Sequence, residues 1–119
     1  MGKNRHMSDF EADVIERVKD PEFAMYYLNE LMSDRTPGAK GRLLLGLRRM
    51  AQSYGMLRLS KKIGRGRETL YVTLSEKGNP TLETFLAILD AFGIEPNFRL
   101  KPRSNLRARR RSAGRAKAS

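Results

Sequence analysis

The sequence predicts an all-α domain of five helices, followed by a short C-terminal β-strand and a basic tail. Three observations support this fold class. Apolar residues recur at helical spacing through most of residues 21–92, as in the run FAMYYLNELM. Glycine or proline signals stand where these runs stop. A period of two appears only near the end, where Phe98 and Leu100 alternate with basic residues, which favours a short strand.

The first predicted helix covers residues 21–33. Asp20 can accept a hydrogen bond from the free backbone amides at its start, and Pro21 suits its first position. The preceding segment, residues 8–20, has an apolar spacing that fits either a helix or an extended chain, and the pattern does not decide between them.

Four further helices are predicted at residues 39–54, 57–63, 67–75 and 82–92. Glycine supplies the left-handed backbone that ends a helix, and Gly55, Gly64 and Gly93 follow three of these segments. Thr81 is the expected N-cap of the last one. The side chains expected to face the core are Leu43, Leu47, Met50, Ala51 and Tyr54 in the long helix and Leu82, Phe85, Leu86, Leu89 and Phe92 in the last helix.

Composition narrows the class of protein. The chain of 119 residues has no cysteine, so disulfides and thiolate metal sites are excluded. Its one histidine, His6, lies in residues 1–7, which we expect to be a tag or a disordered start. No run approaches the roughly 20 apolar residues of a membrane-spanning helix, and no signal-peptide pattern is present, so a cytoplasmic protein is expected.

The net charge of +11 is unevenly distributed. Residues 8–34 hold eight acidic and two basic side chains, residues 35–77 hold eleven basic and two acidic ones, and residues 103–119 hold seven basic and no acidic ones. A concentrated basic block favours a polyanion as partner, because neutralised phosphates release counterions. The tail has one large apolar side chain, Leu106, and is therefore expected to be disordered. The domain itself is predicted to span residues 8–102.

The stretch Gly64-Arg65-Gly66-Arg67 could belong to a phosphate-binding loop, a linker or a turn between helices. A Walker loop needs a hydroxyl residue directly after its basic residue, and here Glu68 follows Arg67. A dinucleotide-binding loop needs a third glycine, and position 69 is threonine. A linker is disfavoured because the apolar pattern continues on both sides. The remaining interpretation is a helix-turn-helix.

In this interpretation Ser60 is the small residue where the two helices touch, and Gly64 takes the positive φ angle of the turn. The start of the second helix is then exposed, and an arginine there can bind a guanine with two hydrogen bonds in the major groove of DNA. Glu68 could accept a hydrogen bond from cytosine or pair with a neighbouring arginine. The candidate DNA-binding residues of this stretch are Arg65, Gly66, Arg67, Glu68, Thr69, Tyr71 and Val72.

Three runs of the sequence, KDPEFAMYYLNELM, LLLGLRRMAQSYGM and LSKKIGRGRETLYVTLSEKGNPTLETFLAILDAFGI, resemble the addiction-module antidote family. These are HigA-like antitoxins with a helix-turn-helix of the xenobiotic-response-element, or phage-repressor, type. The resemblance covers about residues 10–100. It implies a homodimer that binds a double-stranded DNA operator in its own promoter and neutralises a cognate RelE/ParE-like toxin. It further implies that Lys61, Lys62 and Lys77 contact phosphates.

The sequence departs from the family pattern at two positions of the recognition helix. Gly66 stands where a capping serine, threonine or asparagine is usual, and Val72 where a polar residue is common. The long basic tail is not part of the pattern either. These departures leave the details of DNA contact open.

The acidic segment, residues 8–34, would complement a basic toxin, and Phe10, Val14 and Phe23 are its candidate toxin-binding residues. Residues such as Phe23, Tyr27 and Leu31 are, however, more often plain core than contacts to a partner. An alternative function is a prophage-type transcriptional regulator without a toxin, and another is a nucleic-acid packaging protein. An enzyme is not expected, nor a metal or cofactor site, because the recognition region has no histidine or cysteine and its acids lack a metal-site partner.

Overall fold

The structure, a computed structural model, describes residues 7–102. The predictions made for residues 1–6 and for the basic tail lie outside the described residues. The described part of the chain is all-helical, as predicted. Its helices are α1 (Asp9–Arg17), α2 (Pro21–Ser33), α3 (Ala39–Tyr54), α4 (Met56–Ile63), α5 (Arg67–Thr73) and α6 (Leu82–Ala91).

Helix α1 makes six helices where the sequence predicted five. The Ser8 hydroxyl accepts the backbone N–H of Glu11 at 3.1 Å, and the Glu11 carboxylate accepts the N–H of Ser8 at 3.1 Å. This reciprocal pair is a capping box, which satisfies two otherwise free donors at the start of a helix. The cap thus decides the conformation that the apolar spacing of residues 8–20 left open.

The predicted strand around Phe98 and Leu100 is wrong. Residues 94–102 have no regular secondary structure, and the side chains of Phe98 and Leu100 are 93% and 75% exposed. A strand needs a neighbouring strand to pair its backbone groups, and the described residues contain none. The alternating pattern is therefore present without the partner that would make it a strand.

The predicted helix boundaries are confirmed where local capping sets them. The Asp20 carboxylate accepts the N–H of Glu22 at 3.1 Å before Pro21, and the Thr81 hydroxyl accepts the N–H of Thr84 at 3.1 Å. At the other ends, Gly55, Gly64 and Gly93 have φ angles of 112°, 69° and 69°. Only glycine adopts such angles without steric cost.

Helix α3 lies at the centre, with α1 and α2 packed on one side and α4 and α6 on the other. At Gly46 the α2 and α3 helices approach so closely that an added Cβ would lie 2.2 Å from Leu31 Cδ1. The largest fully buried side chains of the core are Val18, Leu47, Met50, Leu59, Leu70, Leu74, Thr84 and Ile88.

The buried face of α6 differs from the predicted one. Leu82 and Leu86 are 70% and 42% exposed, whereas Thr84, Ile88 and Leu89 are buried. Thr84 can be buried because its hydroxyl lies 3.1 Å from that of Thr81, its hydrogen-bond partner. The face of α6 that packs on α3 and α4 therefore carries Thr84, Ile88 and Leu89, and two leucines face outward.

The loop between α2 and α3 is organised around the Asp34 carboxylate. Asp34 accepts hydrogen bonds from Arg42 Nε at 2.7 Å and from the backbone N–H of Thr36 at 2.9 Å. The hydrogen bond from Arg42, followed by those from Thr36, holds the pKa of Asp34 well below its usual range. This cluster fixes the start of α3 relative to the end of α2.

Candidate nucleic-acid interface

Helices α4 and α5 are joined by a three-residue turn, Gly64–Gly66, which Ser60 holds in place. The carbonyl of Ser60 accepts the backbone N–H of Gly64 and, at 3.1 Å, that of Arg65. Its hydroxyl donates a hydrogen bond to the carbonyl of Arg65. Gly64, with φ 69°, provides the left-handed residue that the sequence assigned to it. Ser60 therefore does more than allow close packing, since it accepts and donates hydrogen bonds across the turn.

Helix α5 buries one face and exposes the other. Leu70 and the following Leu74 have no exposed surface and pack in the core with Leu59 of α4. On the opposite face, Val72 is 69% exposed. Gly66 precedes the helix with φ −64° and ψ 149°, and no side chain caps the first turn of α5. The exposed residues of the turn and of the start of α5 are Gly64, Arg65, Gly66, Arg67, Glu68 and Thr69.

Tyr71 is half-buried and not fully exposed, because its side chain packs against the core and Arg48 of α3 lies over its ring. The guanidinium carbon of Arg48 lies 5.1 Å from the ring centroid, within the range of a cation–π contact. No local signal could have found this pairing, since the two residues lie on different helices and are 23 positions apart in the chain.

Two of the predicted basic contacts are paired with acids of α6. Lys62 Nζ lies 2.9 Å from Asp90, and Arg65 Nη2 lies 3.6 Å from Glu83. The hydrogen bond that Lys62 donates to Asp90 raises the pKa of its ammonium group. The other predicted basic contacts form no ion pair with an acid of residues 7–102; they are Lys61, Arg67 and Lys77.

The three residues predicted to bind a toxin occupy different environments. Phe10 is 63% exposed, Phe23 is half-buried against the core, and Val14 is 4% exposed. Val14 belongs to the core, so it is not available as a surface contact. The apolar spacing of residues 8–20 could not distinguish Phe10 from Val14 before α1 and its buried face were known.

No group of three or more histidine, cysteine or acidic side chains within residues 7–102 is arranged to hold a metal ion. In the same residues, no helix is both long and apolar enough to cross a bilayer.

One protein-family model, described as "Probable addiction module antidote protein", matches residues 7–100. The chain belongs to this antidote family. A relative, an uncharacterized protein of Haemophilus influenzae (strain ATCC 51907 / DSM 11121 / KW20 / Rd), is 30% identical over 89 residues, which cover 75% of this chain and 87% of the relative. No solved structure matches the chain.

Membership of the antidote family confirms the family-level resemblance seen in the sequence. An addiction-module antidote is the antitoxin of a toxin–antitoxin pair, so the family indicates an antitoxin with a cognate toxin as partner. Such proteins are regulators and not enzymes. The family match covers all six helices of the described residues, including the acidic α1 and α2 as well as the basic α4.

Proposed function

We propose that this member of the antidote family is a HigA-like antitoxin that also represses its own promoter. It binds an operator as a homodimer through a helix-turn-helix of phage-repressor type, formed by α4 and α5. Its other partner is a RelE/ParE-like toxin. Residues 8–102 are the folded domain that carries both activities.

The observation that carries the DNA-binding proposal is the geometry of α4, the Gly64–Gly66 turn and α5. A recognition helix must be anchored to its domain on one face and free at its N-terminal end, where side chains reach base edges. Helix α5 is anchored by Leu70 and starts with the exposed Arg67. The guanidinium of an arginine at this position can donate two hydrogen bonds to one guanine.

The distribution of charge supports the same surface. Lys61 and Arg67 lie on either side of the turn, are exposed, and form no ion pair with the described acids. Cations of this kind supply most of the affinity for phosphate, because their binding releases the counterions of DNA. Lys62 and Arg65 contribute less to such binding, since each already faces a carboxylate of α6.

Homodimer formation is proposed because recognition of an operator by a small domain usually uses two half-sites about one helical turn apart. The apolar side chains that remain exposed at the C-terminal end of the domain are candidates for the dimer interface. They are Leu82 and Leu86 of α6 and Phe98 and Leu100 beyond it. We expect a dimer at micromolar concentration in light scattering, and a monomer would count against two-half-site binding.

Selection of bound sequences from random double-stranded DNA tests the proposal directly. A conserved, two-fold-related sequence should emerge and bind orders of magnitude more tightly than random DNA. If no sequence is enriched and all DNA is bound with equal affinity, sequence-specific repression is contradicted and a packaging role is favoured.

The selected operator then allows two basic residues to be compared. Arg67→Ala should lower the affinity by about 1–3 kcal/mol and relax the preference at one base pair. Lys61→Ala is the matched control, because a phosphate contact weakens the binding of all sequences alike. If Arg67→Ala reduces binding to operator and random DNA equally, then Arg67 does not read a base.

A further inference from the structure

Four aromatic side chains form a connected surface where α1, α2 and α3 meet. The rings of Phe23 and Tyr27 are stacked, with centroids 6.0 Å apart and 15° between their planes. The ring of Tyr26 lies 6.3 Å from that of Phe23. Arg49 of α3 joins Phe10 to this group, since its guanidinium carbon is 5.2 Å from the Phe10 ring and it donates a 3.2 Å hydrogen bond to the Tyr27 hydroxyl.

The outer members of this aromatic surface are open to solvent. Phe10 is 63% exposed and Tyr26 is 59% exposed, while Phe23 and Tyr27 are half-buried beneath them. Arg49 holds the arrangement from below, because its side chain is only 13% exposed and contacts Glu11 of α1 at 3.4 Å. The aromatic rings are thus presented on a fixed base, which lowers the entropy lost when a partner binds.

Acidic side chains flank the exposed tyrosine. Glu22 and Glu30 lie four residues before and after Tyr26, so the three side chains follow one face of α2. Both glutamates are exposed, and neither forms a salt bridge with a basic residue of the described chain. The whole of residues 8–34 has a net charge of −6, from eight acidic and two basic side chains.

We infer that the aromatic surface of Phe10, Phe23 and Tyr26, with its acidic rim of Glu22 and Glu30, docks a protein with a basic surface. The inference rests on the proposed antitoxin function, in which that protein is the cognate toxin. Tyrosine and other aromatic side chains dominate the binding energy at the centres of protein interfaces. Opposite charges at the rim speed the encounter and fix its orientation.

Charge argues against one other occupant of this surface, and the small apolar area of the tail argues against another. A second copy of this chain in a two-fold contact would place this acidic surface against itself, and like charges juxtaposed at an interface are unfavourable. The chain's own residues 103–119 are basic, but Leu106 is their one large apolar side chain. They therefore offer little apolar area to cover the aromatic rings.

The test measures binding of the full chain to the protein encoded by the adjacent gene, by calorimetry or biolayer interferometry at low and high salt. Tyr26→Ala should raise the Kd about thirtyfold, as is typical of a hot-spot aromatic residue, and Tyr26→Phe should retain most of the affinity. Glu30→Lys should slow association at low salt and less so at high salt. The matched controls are Leu57→Ala, which removes an exposed apolar side chain from α4, and Glu95→Lys, which reverses an exposed charge outside α1 and α2.

The outcomes separate this inference from the proposed function. If the unmodified chain does not bind the adjacent gene's product, both are overturned. If it binds, but Tyr26→Ala and Glu30→Lys bind as tightly as the controls, the toxin uses another surface and only this inference fails. Dissociation of a homodimer by Tyr26→Ala would show that a second copy occupies the surface. In NMR titrations, the Tyr26 resonances could shift with a peptide of residues 103–119 and not with the adjacent gene's product. That result would show that the tail occupies the aromatic surface.

Discussion

Gly78 follows α5 at a point where the backbone leaves no room for a side chain. Its N–H donates a 2.8 Å hydrogen bond to the carbonyl of Ser75, which draws the chain back toward the end of α5. A Cβ at Gly78 would lie 2.0 Å from the carbonyl oxygen of Thr73 and 2.6 Å from that of Val72. Since Cβ contacts below 3.0 Å are essentially never observed, Gly78→Ala must displace backbone atoms by about 1 Å.

The cost of Gly78→Ala can be worked out from this geometry. Overpacking typically costs about 1–3 kcal/mol, and the upper part of that range applies here because the obstacle is backbone and not a flexible side chain. Alanine also lowers the conformational entropy of the unfolded chain, and this effect offsets about 0.4–1 kcal/mol of the overpacking cost. The expected loss in the free energy of unfolding is therefore about 2 kcal/mol, or a fall of roughly 8–16 °C in Tm for a domain of this size.

Urea denaturation followed by circular dichroism measures this change, and Gly41→Ala is its control. Gly41 lies in the first turn of α3, and a Cβ there would meet only Glu76 Cγ at 3.7 Å. Alanine in a helix is favoured over glycine by about 0.5–1 kcal/mol, so the same chemical change should stabilise the domain at this position. If Gly78→Ala unfolds at the same urea concentration as the unmodified chain, the backbone accommodates a Cβ at this position without strain.

Two further predictions concern hydrogen bonds made by single side chains. Thr81→Ala removes the N-cap of α6 and leaves the N–H of Thr84 without its partner. Thermal denaturation should therefore show that the free energy of unfolding falls by about 1 kcal/mol. An unchanged Tm would contradict the role of the cap. Asp34→Asn tests the lowered pKa of Asp34. The ionised carboxylate stabilises the fold fully above the pKa that it has in the unfolded chain, about 3.9. This stabilisation is lost as the pH falls through that value toward the lower pKa of the folded state. In urea titrations the variant should therefore be less stable than the unmodified chain at pH 7, and the difference should shrink below about pH 4; a constant difference would exclude ionisation as its cause.

Features set by neighbouring residues were predictable from the sequence. Asp20 and Thr81 cap their helices, and Gly64 forms the turn, because each of these residues acts within a few positions of itself. The capping box of Ser8 and Glu11 is equally local. Its Ser-x-x-Glu pattern was the available signal for α1, the helix that the sequence analysis did not predict.

Features set by distant residues were not predictable in the same way. Several faces of α6 carry apolar residues, and only packing on α3 and α4 determines that Ile88 is buried while Leu82 is exposed. The ion pairs at the candidate interface were not predictable either, because Lys62 pairs with Asp90, which is 28 positions away in the chain. Residue type and spacing identified the basic stretch, but they did not show which of its charges are already paired.

The two carboxylates of α6 act as built-in counterions for part of the basic surface. When a lysine or arginine binds a phosphate of DNA, the small cations condensed on the DNA are released, and affinity falls with salt by a slope of about −0.9 for each neutralised phosphate. Lys62 and Arg65 must first leave Asp90 and Glu83, which then attract cations from solution and cancel part of that release. Because Arg67 is proposed to bind a base, the salt sensitivity of one protomer would thus reflect Lys61 and Lys77, with a slope of about −1.8 and not the value of about −3.6 for four phosphate contacts. Helix α6 would in this way make operator binding less dependent on the ionic strength of its surroundings.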